Sequence, residues 1–193
     1  MRPFSNINRP IVLASASPRR QEIMRQAGFQ FTVRASHVDE SFPADLPVAD
    51  VALYLARKKA ASFGPVSGSE IIITADTTVV IDGLILNKAA DREEGIAMLQ
   101  TLSGKTHRVI TGVCILTAEN EFSFQDETLV TFKNLSQDEI EYYLDQYRPY
   151  DKAGAYGIQD WIGLVGITRI EGSYFNVVGL PIQKLWKAIR EMQ

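Results

Sequence analysis

Two sets of residues stand where they could do chemistry: small and basic residues just after a short apolar run, and carboxylates in or beside segments that read as buried. Ser15-Ala16-Ser17-Pro18-Arg19-Arg20 begins where Ile11-Val12-Leu13-Ala14 stops and an amphipathic helical pattern starts. Small residues let the backbone approach an anion. Ser17 suits a helix N-cap and Pro18 the first helical position, so the helix start presents N–H groups and a positive dipole end. Arg19 and Arg20 add forked donors that match phosphate oxygens. The same string also fits an ordinary capped helix with two solvated arginines, so the case for a phosphate site rests on its partners.

Asp76 interrupts Ile72-Ile73-Thr74-Ala75-Asp76-Thr77-Thr78-Val79-Val80. A carboxylate inside such a strand costs several kcal/mol unless a cation or hydrogen-bond donors compensate it. It is either a buried acid satisfied by backbone donors or an arginine, or a metal ligand or general base. Glu40, in a loop directly after a strand, is the natural second carboxylate. Two oxygen ligands without a His/Cys cluster favour Mg²⁺ or Mn²⁺ over zinc. Lys59 continues an otherwise apolar helical stripe, and Lys88 follows a strand that pairs back from Asp82-Gly83; each is a candidate anion contact or a lysine that snorkels to solvent. His37 and His107 lack Ser/His/Asp spacing and read as structural or solvent-facing. Cys114, the single cysteine, lies in an apolar run and reads as a buried, inert thiol.

Alternating short apolar runs and amphipathic stretches call for an α/β fold with mixed strand order. Expected are a strand at Ile11 to Ala14, a helix from about Pro18 to Ala27, a strand near Phe31 to Ala35 and an exposed loop from His37 to Leu46. A helix from about Pro47 to Phe63 carries the stripe Val48, Val51, Ala52, Leu55, Ala56. Ile71 to Ile81 reads as a central strand with a hairpin at Asp82-Gly83, followed by a helix from about Arg92 to Leu102 capped by Asp91 and Glu94. Strands near Thr106 to Thr117 and Phe122 to Leu135 should pair, and Ser136 and Glu139 cap a helix to about Tyr147. A Gly-rich loop at Asp151 to Gln159, strands near Leu164 to Glu171 and Tyr174 to Val178, and a helix from Pro181 complete the chain. At 193 residues, 46% hydrophobic and 22% charged, the chain can build a sizeable core as a single domain over 1-193, with residues 1-10 a loose extension. Its formal net charge of -3 argues against broad nucleic-acid or membrane-surface binding, so an anionic ligand must be small and held by a local basic cluster. With no signal-type segment and no membrane span, a cytoplasmic location is expected.

The ordered set Ser15 to Arg20, Val38-Asp39-Glu40, Ala75-Asp76-Thr77, Leu102-Ser103-Gly104, Thr111-Gly112-Val113, Asp151 to Gln159 and Asn176-Val177-Val178-Gly179-Leu180-Pro181 resembles the Maf family of nucleoside triphosphate pyrophosphatases. The resemblance runs from about Ile11 to the last helix. It implies a mixed, strongly twisted central sheet with flanking helices and two lobes around a cleft, similar to inosine triphosphate pyrophosphatases. It also implies metal-dependent cleavage of the α–β phosphoanhydride, giving a monophosphate and pyrophosphate, and a homodimer. Carried over residue by residue, Asp76 corresponds to the proton acceptor, and Glu40 with Asp76 to the metal-holding acids. Ser15, Arg19, Arg20, Lys59 and Lys88 correspond to the triphosphate contacts, and Arg19, Thr77 and Gln159 to the specificity positions. Asp-Thr and Gly-Ile-Gln at these places are similar to the subgroup acting on dTTP, UTP and 5-modified pyrimidine nucleotides. The alternatives are the 7-methyl-GTP subgroup and a non-hydrolysing nucleotide-binding regulator of cell division. Asn87-Lys88-Ala89 departs from the family's common Gly-Lys-Pro, which puts the rigidity of the loop presenting Lys88 in question. Asp76 and Thr77 are also consecutive, so the strand must bend or end there if both line one pocket.

Overall fold

The structure is a computed structural model that describes residues 9–35, 38–66 and 68–192. Its first elements are β1 Ile11–Leu13, α1 Pro18–Gln26, β2 Thr32–Val33, α2 Val51–Ala61, β3 Ile71–Ile81, β4 Leu84–Leu86 and α3 Arg92–Leu102. There follow β5 Thr106–Leu116, β6 Glu121–Phe132, α4 Gln137–Tyr147, α5 Trp161–Gly166, β7 Ile167–Glu171, α6 Tyr174–Val178 and α7 Ile182–Glu191. The strands form one mixed seven-stranded sheet in the order β2-β1-β3-β5-β6-β7, with β4 on β3. β1 runs parallel to both β2 and β3, whereas β4 and β7 run antiparallel to β3 and β6. Helical crossovers give the parallel pairs, and the β3–β4 hairpin turns on Asp82 (φ 50°) and Gly83 (φ 77°), both in the left-handed region. Among the described residues no helix is long and apolar enough to cross a membrane.

The chain divides into two compact units: the first comprises the chain through Asp76, Thr111–Asp126 and the chain from Gly179, and the second comprises Thr77–Ile110 and Glu127–Val178. In the first unit, α2 buries Val51, Ala52, Leu55 and Ala56 of the expected stripe, with Ala60 added, while Val48 lies half-buried in the turn before the helix. The helix starts at Val51, later than its pattern suggests, because the Asp50 N–H bonds to Pro47 O and closes a turn first. Gly112 on β5 lets this helix lie close: a Cβ there would sit 2.4 Å from the Leu53 N and Cα atoms. Thr74 Oγ then donates to Ala56 O at 2.7 Å, fixing β3 against α2. Asp76 is two residues beyond Thr74 on the same strand face, and Lys59 is about one helical turn beyond Ala56. The packing therefore delivers one side chain to the other.

In the second unit, Asp91 accepts from the Glu94 N–H at 2.9 Å to cap α3, and Ser136 and Glu139 close a full capping box on α4. Two expectations need correction. Trp161–Gly166 is helical: within it only Ile162 and Gly166 are buried, an i, i+4 spacing that suits a helix, so the strand β7 begins only at Ile167. Tyr174–Val178 is also a helix, because Ser173 Oγ accepts the Asn176 N–H at 3.3 Å and starts a turn between Gly172 and Gly179. His37 lies outside the described residues. His107 is buried, stacked on Phe132 with Nε2 sharing a 2.7 Å hydrogen bond with the Tyr156 hydroxyl.

Burial pushes the His107 pKa down from 6.5 to about 4. The unfolded chain then binds this proton more readily than the folded one, so the group is neutral in its effect above about pH 6.5 and costs stability increasingly as pH falls toward 4. The full cost is about 3 kcal/mol. Urea unfolding at pH 7 and pH 4.5 should therefore show wild type losing about 2–3 kcal/mol more than His107→Phe between the two conditions. Equal losses would show that His107 does not resist protonation.

Candidate functional site

The centre of the first unit is an ammonium between two carboxylates. Lys59 Nζ donates to Glu40 Oε1 at 2.8 Å and bonds Asp76 Oδ1 directly. The Lys59 and Asp76 side chains are 13% and 12% exposed, and Glu40 is 49% exposed. The pair thus answers the question raised by a carboxylate in an apolar strand: its compensation is a lysine from the neighbouring helix. The loop carrying Glu40 is tied to the same helix, since Lys58 Nζ donates to Ser41 O at 2.8 Å and lies 3.6 Å from Asp39 Oδ2. Adjacent lysines on α2 therefore hold adjacent residues of the loop.

Arg20 is built into the frame beside this cluster. Its Nε donates to Gly179 O at 2.8 Å, and its Nη1 to Ala75 O at 2.8 Å and to Ser15 Oγ at 3.3 Å. One guanidinium thus joins the β1–α1 loop, the residue before Asp76, and the turn before α7. Burial pulls its pKa below the ordinary arginine value against the attraction of Asp76; neighbouring Arg19 adds to the lowering and Glu40 opposes it. Gly179 makes this turn at φ 123°, which explains why a glycine stands in the Asn176 to Pro181 segment. Ser15 is buried, and its hydroxyl also accepts the Ser17 N–H at 3.3 Å. Ser17 occupies the N-cap position of α1 with Pro18 after it, yet its side chain does not cap the helix as expected. Arg19 lies half-buried next to Arg20.

In the first unit the structure thus brings Glu40, Lys59 and Asp76 into direct contact, and Ser15 onto Arg20, which bonds the carbonyl of Ala75, the residue before Asp76. Thr77, Lys88 and Gln159 belong to the second. Thr77 is half-buried and Lys88 exposed, and β3 does not end between Asp76 and Thr77 but continues to Ile81. Asn87-Lys88-Ala89 is firmly held: Lys88 bridges to Ala153, the Gly154 N–H bonds Asn87 O at 3.0 Å, and Ala89 packs with Met98 and Ala155. Gln159 is exposed in a turn closed by the Asp160 N–H on Gly157 O at 3.0 Å. Two residues that no sequence pattern marks meet at that turn: Tyr143 and Asp160, whose side chains hydrogen-bond at 2.7 Å. A tyrosine on the buried stripe of a helix gives no sign in sequence of what its hydroxyl will meet. Cys114 is buried and free, its thiol pushed up to about 12 by burial and by Glu121, as expected of an inert cysteine.

Among the described residues no group of three or more His, Cys, Asp or Glu side chains could hold a metal ion alone. The donors present still suit Mg²⁺ or Mn²⁺: Glu40 and Asp76 already turn carboxylate oxygens toward one shared cation, the Lys59 ammonium. Two hard oxygen ligands are what a Mg²⁺ site supplies when water and phosphate complete the shell.

The model of the Maf-like protein family matches residues 10–192. The chain belongs to the Maf family. It is 50% identical over 185 residues to a dTTP/UTP pyrophosphatase of Porphyromonas gingivalis, covering 94% of this chain and 93% of that protein. It is 49% identical over 192 residues to one of Bacteroides fragilis, covering 98% and 100%. Over 180 residues it is 48% identical to one of Flavobacterium psychrophilum, covering 93% and 92%. Several of the segments that carry the Maf resemblance prove to be frame. Gly112 admits α2, Gly104 turns at φ 70°, and the buried Asn176 donates to Val109 O and Thr128 Oγ1 at 3.0 Å each.

If Arg20 is the brace that the hydrogen bonds describe, Arg20→Lys keeps the charge but cannot span three acceptors. Denaturant unfolding should show a loss of about 2–3 kcal/mol. A variant as stable as wild type would show that the guanidinium does not hold the frame.

Proposed function

We propose that this chain hydrolyses the α–β phosphoanhydride of dTTP and UTP, releasing the nucleoside monophosphate and pyrophosphate. The observation that carries this reading is near full-length identity of about half to proteins bearing the name dTTP/UTP pyrophosphatase. The chemistry of the first unit supports it.

Ser15 and Arg19, at the start of α1, bind phosphate oxygens, with the dipole of the helix start behind them. Arg20 contributes positive potential while its N–H groups hold the loop and the strand in place. Lys59 neutralises charge that develops on the phosphates and holds the Asp76 carboxylate in place. Asp76 orients the attacking water and accepts its proton, and the water meets the α-phosphorus in line with the departing pyrophosphate. Mg²⁺ or Mn²⁺ held by Glu40 and Asp76 would withdraw charge from the phosphate oxygens. Lys88 adds a further contact to the triphosphate. Gln159 reads the base, since its amide offers both a donor and an acceptor to the N3–H and O4 edge of uracil or thymine. Thr77 limits the pocket.

The enzyme acts in the cytoplasm, where its substrates are made and used, as a homodimer. The exposed apolar side chains Leu164, Val165 and Ile170 support an interface in the second unit.

Pyrophosphate release from a panel of dTTP, UTP, CTP and 7-methyl-GTP with Mg²⁺ or Mn²⁺ tests the reading. dTTP and UTP should lead the panel, and Asp76→Asn should lower kcat by about 10²–10⁴-fold while nucleotide binding persists. Binding without turnover of any triphosphate would leave a nucleotide-binding regulator instead, and 7-methyl-GTP in first place would overturn the base assignment.

A further inference from the structure

The hydroxyl of Tyr143 is a buried polar group that the mechanism above does not use. Tyr143 is fully buried on α4. Its O–H donates to Asp160 Oδ2 at 2.7 Å, and its oxygen accepts the Gly157 N–H at 3.0 Å. Burial, with the Asp160 carboxylate as acceptor, holds the phenol proton well above its ordinary range, so the group stays a donor.

Gly157 and Asp160 are the two ends of the turn that carries Gln159, and the Asp160 N–H closes that turn on Gly157 O. The fit is close. A Cβ on Gly157 would stand 2.4 Å from Asp160 Oδ2, so only glycine leaves room for the carboxylate. Lys152 Nζ lies 3.7 Å from the same oxygen. Beyond the turn, Asp160 O accepts the Gly163 N–H at 3.0 Å and starts α5. The phenol therefore grips both ends of a turn whose exposed tip is Gln159.

We propose that Tyr143 is a positioning residue for base selection: by fixing Gly157 and Asp160 it sets where the Gln159 amide stands. This rests on the reading of Gln159 as the residue that meets the base. A site built to hydrogen-bond one base edge discriminates only as well as its donors and acceptors are held in place. Loosening the turn should therefore blur the choice between bases more than it slows the chemistry.

Tyr143→Phe removes the hydroxyl and keeps the ring packing. The ratio of kcat/KM for UTP to that for CTP should fall about tenfold, the worth of one hydrogen bond, through a higher KM for UTP at nearly unchanged kcat. Hydrogen exchange at the Gly157 amide should quicken in the same variant. Asp160→Asn, which can still accept the Tyr143 hydrogen, should keep the ratio within about twofold of wild type. An unchanged ratio in Tyr143→Phe, while Gln159→Ala lowers it, overturns the inference and leaves the base-reading role intact. So does a loss shared equally by both nucleotides, which marks a purely structural tyrosine, or a Gly157 amide that exchanges no faster. If Gln159→Ala itself leaves the ratio unchanged, the base-reading role fails, and this inference fails with it.

Discussion

A carboxylate near the middle of an apolar strand has to be compensated, and the first unit is arranged around how that is done. Asp76 meets the Lys59 ammonium, and Glu40 meets the same ammonium from the loop side. Taking one charge out of water costs several kcal/mol, and only a close, hydrogen-bonded partner returns it. The position of α2 follows from this need. Gly112 on β5 lets the helix backbone approach, Thr74 ties the strand to the helix, and Lys59 arrives opposite Asp76. Without the pair, Asp76 would be a buried carboxylate with no cation beside it; with it, the carboxylate has a hydrogen-bonded ammonium.

The frame around that pair is made largely from backbone carbonyls and one guanidinium. Arg20 spans Ser15, Ala75 and Gly179, three points far apart in the chain, and so fixes the start of α1 relative to the residue before Asp76. A lysine could carry the charge but not this geometry. In the second unit the same economy recurs: the Tyr143 phenol holds the Gly157 N–H and the Asp160 carboxylate, and the Gly154 N–H secures the segment that bears Lys88.

Much of this was legible in the sequence where a local rule decides it. The apolar run of β3, the Asp82-Gly83 hairpin, the capping residues Asp91 and Ser136, and the buried stripe of α2 each follow from a period or a capping rule acting over a few residues. Of the two strands expected after Gln159, the first holds over Ile167–Glu171 and gives way to helix only at 164–166, whereas Tyr174–Val178 is a helix, because short apolar runs fit either period and Ser173 as a helix start outweighs the β propensity of Tyr174 and Phe175. Asp76 announced itself by its cost, and Lys59 by continuing an apolar stripe, but their meeting depends on a close approach at Gly112 that no pattern displays. Arg20 read as a phosphate contact because an arginine at a helix start resembles one; its bonds to Ala75 and Gly179 belong to tertiary structure alone. Tyr143 was silent, since its hydroxyl acquires a role only when the loop after α4 folds back on it.

That the Lys59–Asp76 pair organises both the fold and the site is best tested by a double-mutant cycle on unfolding free energy with Lys59→Met and Asp76→Asn. Lys59→Met should cost about 3 kcal/mol in the wild-type background, where it strands a buried carboxylate, and less than about 1 kcal/mol once Asp76 is Asn. Equal costs in the two backgrounds would contradict the account.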